Sequence, residues 1–233
     1  MLHVNFFSGV ILFLFFSVFS FSVAAAGVVP EEILLNIDEK NMGGQINVKN
    51  TEPFPVLLYT RVVDLPEEDR SVKLLVTQPV IRVEAGQVQQ VRFILQTRGE
   101  LKREHLKRVM FEGIPPADQT GNYLTINIQQ DIPVIIQPRS VPVNPTAWKL
   151  LKWSIKNRQL SVENPTRNII RLNPGVILQP SSYKASLPKT YILPGEKIFV
   201  NLQRDIKGDQ QVKFVPGGRY GVDVDSWTAQ LVN

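Results

Sequence analysis

QINVKNTEPFPVLLYTRV, residues 45–62, is repeated in a similar form farther along the chain as QLSVENPTRNIIRLNPGV, residues 159–176. In both copies a run of alternating apolar and polar residues ends in Val-x-Asn, a polar turn follows, and a second apolar run begins. Alternation with a period of two is the pattern of a half-buried β-strand. Because the same layout occurs twice, the sequence predicts two β domains of similar topology.

A second pair of similar segments follows the first pair. RVEAGQVQQVRFIL, residues 82–95, and YILPGEKIFVNL, residues 191–202, are each interpreted as a β-hairpin. Gly86 and Gly195 occupy the two turns, where glycine adopts a positive φ without steric cost. Long amphipathic helices are absent, although residues 100–108 could form a single helical turn. The sequence therefore predicts an all-β chain with two sandwiches rather than one large barrel.

The proline-rich segment QPRSVPVNP, residues 137–145, is the predicted joint between the two domains, because it is short and stiff. We accordingly assign residues 27–140 to the first domain and residues 141–233 to the second. The chain contains no cysteine. Disulfides and thiolate metal sites are therefore excluded, and each domain must depend on the burial of its own core.

The first residues of the chain predict export. Residues 6–23 are almost wholly apolar, and the sequence Ala24-Ala25-Ala26 that follows is typical of a signal-peptide cleavage site. No Lys or Arg precedes the apolar run, and its length is close to the roughly 20 residues of a membrane-spanning anchor. The small residues and the globular pattern from Val28 onward favour a signal peptide, residues 1–26, that is removed on export to a periplasm.

Charge and motifs argue against nucleic-acid binding and against catalysis. The formal net charge is +5, and the basic residues are scattered along the chain rather than clustered. A nucleophile elbow, an HExxH pair and a P-loop are absent, so no enzyme activity, cofactor or metal is expected. Asp and Glu are numerous enough for a catalytic pair, but no spacing indicates one. His105 lies in the charged segment 101–108 and is predicted to face solvent, and residues 67–69 are interpreted as a polar loop.

Three further segments together resemble one protein family. VMFEGIPP (residues 109–116), LTINIQQDIPVIIQP (residues 124–138) and SVENPT (residues 161–166) follow one another in an exported chain without cysteine. In this order they resemble the PapD-like periplasmic pilus chaperones of the chaperone–usher pathway, and the resemblance covers essentially the whole mature chain. It implies two immunoglobulin-like β-sandwich domains arranged as a boomerang.

The resemblance also implies a function in fimbrium biogenesis and cell wall organization. Such chaperones bind, fold and cap pilus subunits, deliver them to an outer-membrane usher, and in some cases cap themselves as homodimers. The short connection at residues 113–122 resembles the subgroup associated with multi-subunit pili. The alternative is an exported β-sandwich adhesin or structural pilus component, which the two complete repeats make less favourable.

The family mechanism maps onto the last strand of the first domain, about residues 122–137. Members of the family lend this strand to a subunit whose own sandwich lacks one, so the resemblance implies that Leu124, Ile126 and Ile128 fill an apolar groove of the subunit. The underlying interaction is β-strand addition to an exposed sheet edge. From the alternation alone, these three side chains could instead face the core of their own domain.

Two departures from the family concern charged residues. The Arg and Lys that hold the subunit's C-terminal carboxylate in the family fall at Leu34 and Pro133 here, and a proline is tolerated only at an edge or bulge of a sheet. Arg219, in the turn PGGR, is our candidate for the missing cation, with Arg82 and Arg92 as further possibilities. A solvated turn arginine and an anchor made by backbone groups are the alternatives.

The second departure lies at the domain joint. The family joins its domains with a buried network of Glu, Arg and Asp. Glu104 matches the Glu, whereas the Arg position is Gln137 and the Asp position falls near Val215. Because the Arg and the Asp are both absent, neither is left buried without its ion-pair partner. We therefore expect Glu104 and Gln137 to lie at the interdomain contact of a divergent member.

Overall fold

The computed structural model describes residues 27–116, 128–206, 208–218 and 225–232. Within these ranges the chain forms eighteen β-strands and two short 3-10 helices, at Glu39–Asn41 and Ala147–Leu150. Across the same ranges, neither the length nor the hydropathy of any helix suffices for a membrane span. The prediction of an all-β chain with two domains is confirmed.

The strands between residues 28 and 137 form one sheet that folds around a single apolar core. They are β1 (Val28–Pro30), β2 (Leu35–Asp38), β3 (Gly43–Asn50), β4 (Val56–Asp64), β5 (Lys73–Val76), β6 (Val80–Val83), β7 (Val88–Gln96), β8 (His105–Ile114) and β9 (Gln129–Gln137). Their order is β5-β7-β3-β2-β9-β8-β4-β6, and β1 pairs with β3. β2 pairs antiparallel with β3 and parallel with β9, so it joins the two halves of this sandwich.

The remaining strands enclose a second core. They are β10 (Lys152–Lys156), β11 (Gln159–Glu163), β12 (Ile170–Arg171), β13 (Gly175–Gln179), β14 (Tyr183–Ser186), β15 (Tyr191–Ile192), β16 (Lys197–Asn201), β17 (Gln211–Phe214) and β18 (Trp227–Gln230). They form the sheets β10-β11-β16, β12-β15 and β14-β13-β17-β18. In the core the ring of Trp153 lies 5.3 Å from the ring of Phe214. The domain boundary that we place between residues 140 and 141 stays a prediction.

The internal repeat is visible in the strand pairing. The pair β3–β7 of the first domain corresponds to the pair β11–β16 of the second. In the same way, β4–β6 corresponds to β12–β15. The two predicted hairpins are wrong, because β6 and β7 do not pair with each other, and neither do β15 and β16. Each segment instead crosses between the halves of its sandwich. Gly86 and Gly195 do stand in these turns with φ of 71° and 76°, a region that favours glycine.

The predicted helical turn at residues 100–108 is also wrong, because β8 begins at His105. Side chains alternate along this strand, so His105 and Lys107 turn inward with Val109, whereas Leu106 and Arg108 point to the other side. The prediction that His105 faces solvent fails for this reason. His105 is 5% exposed, and its Nδ1 lies 2.7 Å from Oε2 of Glu68, a buried member of the predicted polar loop.

Candidate functional site

The last strand of the first domain has a partner along nearly its whole length on one side and along only part of it on the other. β8 pairs with β9 from Gln129 to Ile136. β2, on the opposite side, pairs with β9 only from Val134 to Gln137. Among the described residues no strand pairs with the outer side of β9 between Gln129 and Pro133. Within the described ranges, this part of β9 is therefore an open sheet edge.

Side chains of β9 alternate between the core of the first domain and the other face of the sheet. Ile132, Val134 and Ile136 are buried in the core cluster. Ile128 is in phase with these three residues, yet it is 44% exposed and does not belong to the cluster. Gln130 separates Ile128 from these three residues on the same face, so Ile128 is an exposed apolar side chain just before β9, outside the domain's own core. Leu124 and Ile126, the other two predicted donor residues, lie outside the described residues.

The two positions that carry cations in the family lie side by side here without charge. Pro133 immediately precedes Val134, the partner of Leu35 on β2, and Leu34 immediately precedes Leu35. Leu34 is buried in an apolar cluster with Leu106 and Ile135. Pro133 stands where pairing with β2 ends, so its missing N–H coincides with the beginning of the open edge.

A cation lies directly opposite Pro133 on β8. Arg108 pairs with Pro133 across the two strands, so their side chains are on the same face of the sheet. The Nε of Arg108 donates to Oδ1 of Asp131 at 2.6 Å, and Nη2 donates to the carbonyl oxygen of Asp131 at 2.9 Å. Arg108 therefore brings positive charge close to the position that the sequence comparison had left uncharged.

A second arginine approaches the same region from the other domain. Arg171 pairs with Tyr191 between β12 and β15, and it lines a pocket with Ile135, Trp148 and Gly217. Its Nη1 donates to the carbonyl oxygen of Gly218 at 3.4 Å. Burial, and to a smaller extent the positive charge of Arg108, lower the pKa of the Arg171 guanidinium. Sequence reasoning missed Arg171, since a lone arginine in a strand pattern gives no signal of burial.

The cations that the sequence singled out are elsewhere or outside the described residues. Arg82 is exposed on β6, at the edge of the sheet, where its Nε lies 2.7 Å from Oε1 of Glu84. Arg92 is exposed on β7, and its Nε donates to Oε1 of Gln90 at 3.0 Å. Arg219 lies outside the described residues.

The two domains meet through a buried carboxylate. Glu104 is 0% exposed; its Oε1 accepts from Nδ2 of Asn168 at 3.0 Å, and its Oε2 accepts from the backbone N–H of Ile169 at 2.7 Å. The backbone N–H of Glu104 also donates to the carbonyl oxygen of Arg167. Gln137 donates from Nε2 to the carbonyl oxygens of Pro138 and Val141, within the joint segment. Amide donors of the second domain thus bind Glu104, where the family uses an arginine.

Apolar packing and partly buried ion pairs of Lys189 complete this contact. The joint cluster contains three residues of the first domain and two of the second, namely Leu34, Leu106, Ile135, Ile169 and Leu193. Beside it, Nζ of Lys189 lies 3.2 Å from Oε1 of Glu67 in the first domain and 2.6 Å from Oε1 of Glu196 in its own domain. The region around β9 is therefore bounded by both domains. The described ranges contain no group of three or more His, Cys, Asp or Glu residues that could hold a metal ion.

Comparison with known proteins identifies the family of this chain. Residues 27–142 match the family model described as pili and flagellar-assembly chaperone, PapD N-terminal domain. The chain is 43% identical over 221 residues to the uncharacterized fimbrial chaperone YhcA of Escherichia coli (strain K12), covering 95% of this chain and 98% of the relative. It is 27% identical over 197 residues to the chaperone protein caf1M of Yersinia pestis, covering 74% of this chain and 73% of the relative.

Solved structures show the same fold. The Salmonella enterica SafA pilin in complex with the SafB chaperone matches with a TM-score of 0.72 and 22% identity, over 90% of this chain and 99% of the matched chain. The E. coli chaperone DraB matches with a TM-score of 0.70 and 21% identity, over 88% and 96% of the two chains. The alternative of an exported adhesin or structural pilus component is not favoured by these relatives. This chain belongs to the PapD-like fimbrial chaperones, the periplasmic pilus chaperones of the chaperone–usher pathway.

Proposed function

We propose that this chaperone lends β9, together with the residues that precede it, to a pilus subunit as the strand that the subunit's own sheet lacks. Leu124, Ile126 and Ile128 are the side chains that enter the subunit's groove. The chaperone then delivers the capped subunit to an outer-membrane usher. It acts by binding rather than by catalysis, and it requires no cofactor.

The open edge of β9 is the observation that carries this proposal. Between Gln129 and Pro133 its outer side has no strand partner in the described part of the chain. Unpaired N–H and C=O groups on a sheet edge are a template for an added strand. β8 pairs with the strand from the opposite side, so the edge is supported while its outer side has no strand partner in the described residues.

The position of Ile128 supports the same proposal. Its side chain lies on the same face as Ile132, Val134 and Ile136, but outside the domain's own core, at 44% exposure. Full burial of an isoleucine side chain contributes about 1.5–3 kcal/mol, before the cost of association. Binding of this side chain in an apolar groove of a partner would therefore stabilise the complex, because the free chaperone leaves Ile128 partly exposed.

Replacement of Ile128 with Asp tests the proposal. A carboxylate buried in an apolar groove costs several kcal/mol, so we expect subunit recovery from the periplasm to fall while the melting temperature of the free chaperone stays close to the wild-type value. Ile94→Asp is the matched control, since Ile94 is similarly exposed on β7, away from the open edge. Ile126→Asp should behave as Ile128→Asp does. A lowered melting temperature in the β9 variants, with unchanged recovery per folded chaperone, would contradict the assignment.

Export and the state of the free chaperone are further parts of the proposal. We assign residues 1–26 to a cleaved signal peptide, and N-terminal sequencing of the periplasmic protein should begin at or near Gly27. A homodimer in which two copies cover each other's open edge would protect Ile128 in the absence of subunits. Sedimentation of wild-type protein and Ile128→Asp would show whether self-association depends on this edge.

Arg219 remains our sequence-based candidate for an anchor of the subunit's C-terminal carboxylate. It directly follows Gly218, whose carbonyl oxygen accepts from Arg171. We expect Arg219→Ala to reduce subunit recovery without unfolding the chaperone. Unchanged recovery would leave Arg219 as an ordinary turn residue.

A further inference from the structure

Two arginines from different domains emerge at the rim of the joint cluster. Leu106 belongs to this cluster, and Arg108 follows it by two residues on β8, so both side chains are on the same side of the strand. Ile169 belongs to the cluster from the second domain, whereas Ile170 turns into that domain's core. Arg171 therefore points to the same side as Ile169. Both guanidinium groups are thus directed into the space between the domains.

The charges of these two arginines are not balanced within the described residues. Asp131 accepts from Nε and Nη2 of Arg108. Arg171 forms no ion pair with a carboxylate in the described part of the chain, and the carbonyl oxygen of Gly218 is its hydrogen-bond partner, at 3.4 Å. A half-buried guanidinium beside a second one is unfavourable unless an anion compensates it. Asp131 is thus the acidic partner of Arg108, whereas Arg171 has none in the described part of the chain, so an additional anion would compensate the charge of Arg171.

The surroundings favour a carboxylate as this anion. A guanidinium binds a carboxylate through two parallel N–H donors, a geometry that a lysine ammonium does not provide. Ile135 and Trp148 line the pocket next to Arg171, and their apolar surfaces strengthen a charge-assisted hydrogen bond by excluding water. Arg108 stands opposite Pro133, where the open edge of β9 begins. A chain paired with that edge would bring its end, or an acidic side chain, to the two arginines.

We propose that Arg108 and Arg171 bind a carboxylate group of the captured subunit between the two domains. This inference rests on the proposed function, because it requires a subunit paired with β9. In this proposal Arg108 and Arg171 replace the two cations that the family has at the positions of Leu34 and Pro133. Since each domain supplies one arginine, the bound carboxylate also links the two domains directly.

Acetate is a suitable probe of the site in the free chaperone. With ionic strength held constant by chloride, the Nε–H signals of Arg108 and Arg171 in ¹⁵N NMR spectra should shift with acetate along saturable curves. Arg171→Gln should weaken the saturable effect on Arg108 at least tenfold, and Arg108→Gln should weaken that on Arg171. Arg167→Gln is the control, because Arg167 is exposed in the neighbouring loop, and it should leave both curves unchanged. If the signals of Arg108 and Arg171 shift with acetate without saturating, as the signal of Arg167 does, the site does not exist.

Capture of a subunit provides the second readout and separates the two sources of carboxylate. Arg171→Gln and Arg108→Gln should each reduce subunit recovery several-fold at an unchanged melting temperature, and Arg167→Gln should not. Wild-type chaperone is then given a subunit lengthened by two C-terminal residues. If it recovers this subunit as poorly as the arginine variants recover the normal one, the carboxylate is the chain terminus. If lengthening has no effect, it is an acidic side chain.

The two proposals fail in different ways. Saturable acetate binding by a wild-type chaperone that recovers no subunit would overturn the proposed function and leave an anion site. Equal recovery by wild type and both arginine variants would overturn the arginine site and leave the open edge of β9 as the means of capture.

Discussion

Asn50 and Asn164 occupy equivalent positions in the two domains, and the side-chain amide of each donates to three backbone carbonyl groups of its own domain. Nδ2 of Asn50 lies 2.9 to 3.1 Å from the carbonyl oxygens of Phe54, Val83 and Glu84. Nδ2 of Asn164 lies 2.8 to 3.2 Å from those of Asn168, Ile192 and Leu193. Asn50 therefore links the end of β3 to the end of β6, where the chain crosses to β7. Asn164 in the same way links the end of β11 to the end of β15, where the chain crosses to β16.

Replacement of either asparagine with alanine should destabilise its domain strongly. Both asparagines are 0% exposed, so the abandoned carbonyl groups would remain buried without a donor, at a cost of about 1–3 kcal/mol for each such group. We expect a loss of at least about 2 kcal/mol in Asn50→Ala and in Asn164→Ala, measured by urea denaturation. The exposed Asn36→Ala and Asn201→Ala are matched controls. A loss no larger than that of the controls would contradict the bracing role.

Glu104→Ala should loosen the joint between the domains. The change leaves Nδ2 of Asn168 and the backbone N–H of Ile169 without this acceptor, so we expect a loss of about 2–4 kcal/mol. Hydrogen exchange at the Ile169 amide should become much faster, whereas amides in the core of β11 should change little. The exposed Glu32→Ala is the control. Unchanged protection of the Ile169 amide would show that other contacts hold the joint.

The pair formed by Lys107 and Asp64 should respond asymmetrically to substitution. Nζ of Lys107 lies 2.5 Å from Oδ1 of Asp64, and Lys107 is 1% exposed whereas the Asp64 side chain is 53% exposed. Asp64→Ala would leave a buried ammonium without its counterion, so we expect a loss of about 1–3 kcal/mol. Lys107→Met removes the buried charge and should cost less, and the double variant should resemble Lys107→Met. Chemical denaturation of the three variants measures this order, and a larger loss in Lys107→Met would contradict it.

The interdomain pair of Glu67 and Lys189 should make stability depend on acid pH. A backbone hydrogen bond and, more weakly, the ammonium of Lys189 lower the pKa of Glu67 below its usual 4.5, against an opposing effect of burial. A lowered folded-state pKa contributes stability above the unfolded-state pKa, which is lost as pH falls through the folded-state value.

Lys189→Met should therefore melt slightly below wild type at pH 7, and the difference should shrink below a pH of about 4.5. The effect should be small, because Glu67 is largely in solvent. Melting temperatures of both proteins from pH 7 to pH 3 provide the measurement. A difference that does not change with pH would exclude a contribution from the ion pairs of Lys189 with Glu67 and Glu196.

The repeated Val-x-Asn pattern predicted the domain layout because the bracing asparagine and the glycine turn are local features. The separate partners of β6 and β7 were not predictable in the same way, since a turn between paired strands and a turn that crosses a sandwich share one local pattern. His105 was misplaced because its partner Glu68 is 37 residues away in the sequence, and nothing near it in the chain indicates burial.

The candidate site shows the same limit. The resemblance located β9 and Glu104, but it could not supply a residue for a role that the usual positions no longer fill. Arg171 becomes noticeable only when the second domain brings it beside Ile135 and Trp148. The open edge of β9 also required the structure, because it depends on where pairing with β2 ends.

Glu104 accepts a hydrogen bond from the backbone N–H of Ile169, and this affects which substitutions the joint tolerates. A side-chain donor is lost by a single substitution, whereas a main-chain N–H is present in every residue except proline. Another apolar side chain at position 169 would therefore keep the hydrogen bond to Glu104 while it fills the joint cluster. The requirement for a particular polar side chain therefore falls on Glu104 and on its other donor, Asn168, rather than on position 169.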